Sequence, residues 1–152
     1  MRTVQLPYPK IYLYRRVVQA KLFIDQKYAD AIDLSQIADE ACFSRFHFIR
    51  LFKKIYNRTP HQYLTGVRIL KAKRLLSEGM SVADTCFMVG FDSVTSFTGL
   101  FKRMNAVTPA AYRARQSQLQ ADIKEAPLRF IPNCFAESHG WTQNSNFQEG
   151  ID

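Results

Sequence analysis

Residues 45–56 carry two sets of side chains that would lie on opposite faces of one helix. At about 100° per residue, one face is apolar and suited to a protein core: Phe48, Leu51, Phe52 and Ile55. The opposite face mixes apolar and cationic side chains: Phe46, Ile49, Arg50 and Lys53, flanked by Arg45, His47 and Lys54. Such a mixed face is costly in water unless a partner covers it, and the major groove of duplex DNA would cover it well.

The chemistry of this mixed face matches the edges of base pairs. The guanidinium group of Arg45 or Arg50 can donate two hydrogen bonds to guanine O6 and N7. Phe46 and Ile49 can pack on thymine methyl groups. The side chains expected at phosphates are His47, Lys53 and Lys54.

Residues 94–105 repeat the apolar face but not the cationic one. The expected core residues are Phe97, Leu100, Phe101 and Met104, and the opposite face holds Thr95, Thr98, Gly99 and Lys102, flanked by Val94, Ser96 and Arg103. Gly99 stands where Arg50 stands in the first helix, so the second helix lacks a long donor on its central turn. We therefore expect the first helix to set most of the base specificity. In the second helix, Thr95 and Ser96 could contact either bases or phosphates, and phosphate contacts are expected from Thr98, Lys102 and Arg103.

The two helices belong to an internal repeat. At an offset of 49 residues, the second copy repeats Phe52, Lys53, Lys54, Thr59, Pro60 and Tyr63 as Phe101, Lys102, Arg103, Thr108, Pro109 and Tyr112. Before the turn the offset is 48, which pairs Leu34 with Val82 and Ala41 with Val89. Two copies of a short helix, a tight turn and a longer helix predict a duplicated helix-turn-helix.

The pattern predicts an all-α fold of about seven helices. We expect an N-terminal arm, a DNA-binding domain and a short irregular tail of unknown role, over residues 1–12, 13–116 and 117–152. Within the domain, the first helix-turn-helix, the linker helix and the second helix-turn-helix occupy about 33–56, 60–78 and 81–105. Capping boxes are expected at Asp33 and Ser81, a cap at Ser44, and a last short helix ending near Arg115.

Composition and charge limit the kinds of partner. The net charge is +8, and residues 1–115 hold 19 basic and 8 acidic residues, whereas residues 116–152 hold 2 and 5. A basic body favours a polyanionic partner. No apolar run approaches the roughly 20 residues of a membrane span, and the N-terminus lacks the apolar core of a signal peptide. We therefore expect a cytoplasmic, nucleoid-associated protein with no membrane partner.

Three cysteines are too few and too far apart for a framework of disulfides. Cys42, Cys86 and Cys134 form no CxxC pair, which argues against a thiolate zinc site. Cys42 and Cys86 fall within helical patterns and are expected to be small buried residues. The three histidines also lack metal-ligand spacing, so no metal or other cofactor is expected.

Between about Val17 and Arg115 the chain resembles the AraC/XylS family of transcription regulators. The first-half matches include Leu34 to Ala38, Ser44 to Lys54, Thr59 to Leu64, Arg68 and Ala72 to Leu76. The second-half matches include Val89 to Phe91, Ser96, Phe97, Phe101 to Arg103 and Thr108 to Arg113. The resemblance implies that both recognition helices enter adjacent major grooves. By position it implies these base-contacting residues: Arg45, Phe46, Ile49, Arg50, Val94, Thr95, Ser96 and Gly99.

The resemblance also implies partners. Family members commonly contact RNA polymerase, so an activator is expected. Nothing before residue 17 could form a separate effector domain, so we expect the short type with a single DNA-binding domain, no small-molecule effector and a monomer in preference to an oligomer.

Thr85 and Cys86 stand where the family usually has Ile and Ala, and these are expected to be neutral core changes.

Two other classes of function are weighed against DNA recognition. The basic face could bind an acidic protein, in which case affinity for DNA would not depend on base sequence. Cys134 and His139 could form a nucleophile and base, but neither oxyanion donors nor a third group can be placed beside them. We therefore expect that the protein is not an enzyme.

Overall fold

Eight α-helices and one short 3₁₀ helix form the described part of the chain, residues 11–140, in the computed structural model. The helices are α1 (Ile11–Lys27), α2 (Leu34–Glu40), α3 (Arg45–Tyr56), α4 (Pro60–Ser77), α5 (Val82–Met88), α6 (Val94–Asn105), α7 (Pro109–Glu125) and α8 (Asn133–Ser138), with the 3₁₀ helix at Pro127–Phe130. Over this range there is no strand, and the predicted all-α fold with two helix-turn-helix units is confirmed.

Side-chain caps fix where most of these helices begin. Asp33 and Gln36 form the predicted capping box of α2, with the two hydrogen bonds at 2.8 and 2.9 Å. Thr59 and Gln62 form another at the start of α4. At α5 only one of the two hydrogen bonds of the predicted capping box is present. The Asp84 N–H donates to Ser81 Oγ, but the Asp84 carboxylate accepts from the Ser81 hydroxyl and not from the Ser81 N–H.

Each helix-turn-helix has its own core, and the linker helix α4 contributes to both. In the first unit, α1, α2 and α3 surround a core of Val17, Ala20, Ile24, Ile37, Ala38, Ala41, Phe48, Phe52 and Leu64. In the second, the later part of α4 packs with α5 and α6 around Ile69, Ala72, Leu76, Cys86, Val89, Phe97 and Phe101. The two units therefore share one helix.

The duplication extends further than the sequence patterns indicate. Val17, Ala20 and Ile24 of α1 fill the first core as Ile69, Ala72 and Leu76 of α4 fill the second, at an offset of 52 residues. The aromatic contacts repeat as well: ring centres of Phe52 and Tyr63 lie 5.6 Å apart, and those of Phe101 and Tyr112 lie 5.7 Å apart. Each unit is thus a helix, a helix-turn-helix and a closing helix, with α4 closing the first and opening the second.

Several expectations about local structure are wrong. Helix α7 does not end near Arg115 but continues to Glu125, and α8 occupies part of the tail that was expected to be irregular. Cys42 is exposed, in a turn with φ of 52°, and not inside a helix. Met104 was expected in the second core but is 48% exposed and lines an open cleft beside the start of α4.

Candidate nucleic-acid interface

The outward face of α3 presents the predicted base-contacting side chains to solvent. Phe46 is 83% exposed, the largest exposed fraction among the large apolar side chains of the described residues. Arg45, Arg50, Lys53 and Lys54 are exposed around it. Ile49 is half-buried. An aromatic ring held in water beside two arginines indicates a surface that a partner covers.

His47 lies at the edge of this face. Its ring centre is 5.1 Å from that of Phe43 in the preceding turn, and the Arg16 guanidinium carbon is 5.8 Å from the centre of the same Phe43 ring. The imidazole is exposed, so it could still donate to a phosphate as predicted. Phe43 thus contacts both His47 and Arg16, and the three side chains form a small cluster at the start of α3.

The N-terminus of α3 differs from the predicted one. Ser44 has the extended backbone of an N-cap residue, but its side chain makes no capping hydrogen bond. In α6, by contrast, Ser93 accepts from the Ser96 N–H at 3.3 Å. Because α3 has no side-chain acceptor at its first turn, its N-terminal amide groups lack the partner that the sequence predicts.

The corresponding face of α6 has shorter side chains on its first two turns. Thr95, Ser96 and Gly99 are exposed together with Lys102 and Arg103. Thr98 is half-buried, and Val94 packs partly against the second core, so Val94 offers less surface to a partner than its position in the motif implies. A Cβ added at Gly99 would have no heavy atom within 4 Å, which leaves room for a longer side chain on the central turn.

A cleft between the two units contains residues that sequence analysis missed. It has a volume of about 570 Å³ and is lined by Asn57, Arg58, His61, Gln62, Thr65, Leu100, Arg103 and Met104. Arg103 was expected at a phosphate, whereas Arg58 and His61 were not considered as site residues. The sequence does place Arg58 and His61 in and just after the turn that follows α3, so both are basic residues close to the end of the recognition helix.

A polar network holds α1 against α4 behind the first recognition helix. Lys21 Nζ lies 2.7 Å from an Asp25 carboxylate oxygen, and the Tyr63 hydroxyl donates to the other oxygen at 2.9 Å. The hydrogen bond to Asp25 raises the pKa of the Lys21 ammonium. Burial, followed by the same carboxylate, raises the pKa of the Tyr63 hydroxyl. Both shifts favour the protonated forms, so the network stays intact around neutral pH.

Residues 37–115, about half of the chain, match a family described as a helix-turn-helix domain. Among curated proteins, the "Probable transcription factor PqrA" of Proteus vulgaris is 35% identical over 85 residues, which cover 55% of this chain and 70% of that protein. The chain belongs to the AraC/XylS family of helix-turn-helix regulators. It is a DNA-binding transcription regulator of the AraC type.

Another curated relative and a solved structure show how much of each protein is similar to this chain. The MmsAB operon regulatory protein of Pseudomonas aeruginosa is 36% identical over 88 residues, or 57% of this chain but only 29% of that protein. The solved DNA-binding domain of AdpA, in complex with a target DNA, is 29% identical with a TM-score of 0.64, covering 74% of this chain and 96% of that one. The shared part is therefore the DNA-binding domain.

Three further features of the described residues concern membrane spans, metal sites and the side chain of His139. Across residues 11–140, no helix combines the length and apolar character needed to cross a bilayer, and no cluster of His, Cys, Asp and Glu with the arrangement of a metal site occurs in that range. The His139 ring stacks on Phe135 at 4.2 Å, and its Nδ1 lies 3.0 Å from both Phe135 O and Ser138 Oγ. His139 directly follows α8, and these contacts join it to two residues of that helix.

Proposed function

We propose that the chain recognises a specific duplex sequence by placing α3 and α6 in two successive major grooves. Helix α4 has 18 residues, which at about 1.5 Å each span roughly 27 Å. With its flanking turns, this length fits recognition helices about one DNA turn, near 34 Å, apart. One molecule would then contact two short blocks on the same side of the duplex.

The observation that carries the proposal is the exposed mixed face of α3. Phe46 stands 83% exposed among Arg45, Arg50, Lys53 and Lys54, which combines an apolar surface for thymine methyls with donors for guanine and phosphate. The solved AdpA domain in complex with target DNA, to which this chain is similar over most of its length, supports the same use of the fold.

We further propose that α3 supplies most of the base contacts. It has two arginines and two apolar side chains on its exposed face, whereas the exposed part of α6 offers short hydroxyl groups at Thr95 and Ser96. A hydroxyl can bond to more than one base, so it discriminates less than a bidentate arginine. Helix α6 would then contribute phosphate contacts through Thr98, Lys102 and Arg103 and the fit of its surface.

Activation through RNA polymerase is the finer part of the proposal. Its support is the family: the AdaA protein of Bacillus subtilis, named a bifunctional transcriptional activator and DNA repair enzyme, is 33% identical over 92 residues, or 44% of that protein. A transcription assay with purified polymerase and the selected site would test it. More transcript with protein supports activation, and less transcript supports repression.

The first experiment is selection from a pool of random duplexes at about 150 mM salt, where weak non-specific binding is suppressed. The proposal expects two enriched blocks about one helical turn apart. In a parallel selection, Arg50→Ala should lose its preference at one position of the stronger block, at a cost of roughly 1–3 kcal/mol on the original site.

The two contrary results have different meanings. If Arg50→Ala selects the same site with the same affinity, α3 faces the DNA differently from the proposed arrangement. If the folded wild-type protein enriches nothing, base-specific recognition by this chain alone is wrong, and binding of the basic face to an acidic protein becomes the better explanation.

A further inference from the structure

One side chain of α4 connects the two helix-turn-helix units. Arg68 Nε donates to Tyr28 O at 2.7 Å, and Arg68 Nη2 donates to Asp30 O at 2.9 Å. Both carbonyl groups belong to the connection between α1 and α2 in the first unit. The Arg68 guanidinium carbon also lies 5.6 Å from the centre of the Phe91 ring, in the turn of the second unit. The same guanidinium thus contacts both units.

The two units also touch directly at this place. A Cβ added at Gly90 would lie 2.8 Å from Ala29 O and 3.0 Å from Tyr28 O. Contacts as short as 2.8 Å are not made by real Cβ atoms, so the connection lies against the turn at a distance that only glycine permits. Residues 28–30, Arg68 and residues 90–91 together form what we call the joint.

The joint is partly removed from water. The Tyr28 side chain packs against both hydrophobic cores, and Lys71 Nζ lies 5.5 Å from the centre of its ring. Burial lowers the pKa of the Arg68 guanidinium, and the charge of Asp92 opposes this shift. A partly desolvated cation that donates two hydrogen bonds is costly to leave unpaired, so the bonds to residues 28 and 30 resist separation of the units.

The duplication supplies an internal comparison. Arg16 on α1 occupies the position of Arg68 on α4, at the offset of 52 residues that relates the two cores. Its guanidinium carbon lies 5.8 Å from the Phe43 ring centre, as that of Arg68 lies over Phe91. The Arg16 contact stays within the first unit, whereas Arg68 crosses between units. Arg68 has therefore a role that its counterpart lacks.

We propose that the joint fixes the angle and separation of α3 and α6, and that Arg68 is thereby a positioning residue for the spacing of the two DNA blocks. One base pair of extra spacing moves a block by roughly 3.4 Å and rotates it by roughly 34°. A rigid molecule with two recognition helices would not follow both changes. The effect on DNA rests on the proposed function, but the rigidity of the joint can be measured without DNA.

The rigidity test uses distances between spin labels on the two units. Labels are attached at Glu40→Cys on α2 and Ala83→Cys on α5, both exposed positions, after the exposed Cys42 and Cys134 are changed to serine. Arg68→Met keeps the apolar stem but removes the hydrogen bonds, and Arg16→Met is the matched control. We expect a broader or shifted distance distribution for Arg68→Met alone. Identical distributions in the wild type and Arg68→Met would overturn the proposal.

The spacing test uses the two-block site with one base pair inserted or removed between the blocks. The wild type should lose at least about tenfold in affinity for each change, while folded Arg68→Met should lose clearly less, with unchanged affinity for either block alone. Equal spacing penalties in the two proteins would contradict a positioning role. A general loss of affinity for single blocks would show instead that Arg68 only stabilises the fold.

The outcome separates this inference from the proposed function. If the wild type shows no dependence on spacing, two-block recognition fails and so does the effect of the joint on DNA, whereas the label distances still decide whether the joint is rigid.

Gly90→Ala provides a second variant, with Gly79→Ala as its control. Both glycines have positive φ, 91° and 95°, but only Gly90 has atoms within 4 Å of the added Cβ. A shifted label distance for Gly90→Ala alone supports the joint, and equal effects of both contradict it.

Discussion

Gly99 and Arg50 occupy the same position in the two recognition helices, and the difference between them can be tested by a gain of function. A side chain at Gly99 meets no atom within 4 Å, so Gly99→Arg should place a guanidinium group on the central turn of α6. We expect it to create a preference for guanine in the weaker block, worth roughly 1–3 kcal/mol. Selection from random duplexes with the variant would measure the new preference.

The control for this change is Gly99→Ala. Replacing glycine by alanine inside a helix gains roughly 0.5–1 kcal/mol of stability, and Gly99→Arg gains a similar benefit in addition to its donor. Gly99→Ala should therefore stabilise the protein without altering the selected sequence. If Gly99→Arg tightens binding to all sequences equally, it contacts phosphates, and the proposed orientation of α6 in the groove is wrong.

Thr85 is a second residue whose chemistry makes a testable difference. Its side chain is fully buried, and its hydroxyl is the buried side-chain oxygen or nitrogen without a hydrogen-bond partner among residues 11–140. An unsatisfied buried polar group costs about 1–3 kcal/mol, so we predict that threonine at this position is destabilising and not neutral. Thr85→Val should raise the free energy of unfolding by about that amount, measured with denaturant.

Thr95→Val on the exposed face of α6 serves as the matched control. It makes the same chemical change in water and should alter the unfolding free energy by no more than about 0.5 kcal/mol. A Thr85→Val variant no more stable than the wild type would show that the hydroxyl is satisfied in solution.

At the level of single residues, periodicity predicted much but not all of the interface. It placed Phe46, Arg50 and Lys53 opposite Phe48 and Phe52, and the structure exposes the first group and buries the second. Periodicity identifies a face but not whether a neighbour covers it. That is why Met104, on an apolar stripe that opens into the cleft between the units, was wrongly expected to be buried.

The ends of the recognition helices provide a prediction about elements. The C-cap residues that follow α3 and α6 are Asn57 and Ala106, and both have left-handed backbone conformations, with φ of 55° and 64°. Asparagine tolerates this conformation, whereas for alanine it costs roughly 1–2 kcal/mol. After the entropy cost of glycine of about 0.4–1 kcal/mol, Ala106→Gly should stabilise the protein by roughly 0.5–1 kcal/mol. Chemical denaturation would measure the change.

Asn57→Gly at the equivalent position is the control for Ala106→Gly. It should change stability by less, because the native residue already suits the conformation. Equal gains at both positions would mean that glycine acts through the unfolded chain or the turn that follows, and not by relieving backbone strain at residue 106.

At the level of elements, the starts of helices were better predicted than their ends. Caps such as Asp33 with Gln36 are local and visible in the sequence. The end of α7 was placed ten residues too early because the family resemblance stops near Arg115, although good helix formers continue to Glu125 and Pro127 is the next strong stop signal. Local chemistry contained that information, whereas the missing cap at Ser44 depends on the surroundings of α3.

For the whole molecule, the sequence predicted two units on one linker helix but not how they are fixed to each other. The contacts of Arg68 reach backbone carbonyls 40 and 38 residues away in the chain, and no periodicity or motif reports an interaction between a side chain and a distant main chain. Arg68 was noted in the family motif, but its basic charge alone does not indicate which atoms it contacts. Only the folded structure shows that it bonds to the main chain of the first unit.

The extension of α7 changes how the C-terminal tail should be tested. Gln120 Nε2 donates to Ser77 O at 2.9 Å, so α7 helps to hold the end of α4. A chain that ends after Gln116 would lose this contact, and we expect a lower melting temperature. A chain that ends after Ala126 keeps α7 and removes one basic and three acidic residues. Its affinity for the selected site should stay within about twofold, or rise slightly at low salt, because acidic residues repel phosphates.

Titrations of both truncations against the selected duplex at several salt concentrations, with melting curves as the folding control, would measure these effects. A loss of affinity well beyond twofold in the folded chain that ends after Ala126 would contradict the prediction. Residues 127–152 would then contribute to DNA binding despite their acidic balance, and the interface would extend beyond the two recognition helices. Retained affinity in that chain, with reduced stability only in the shorter one, would assign α7 to the support of α4.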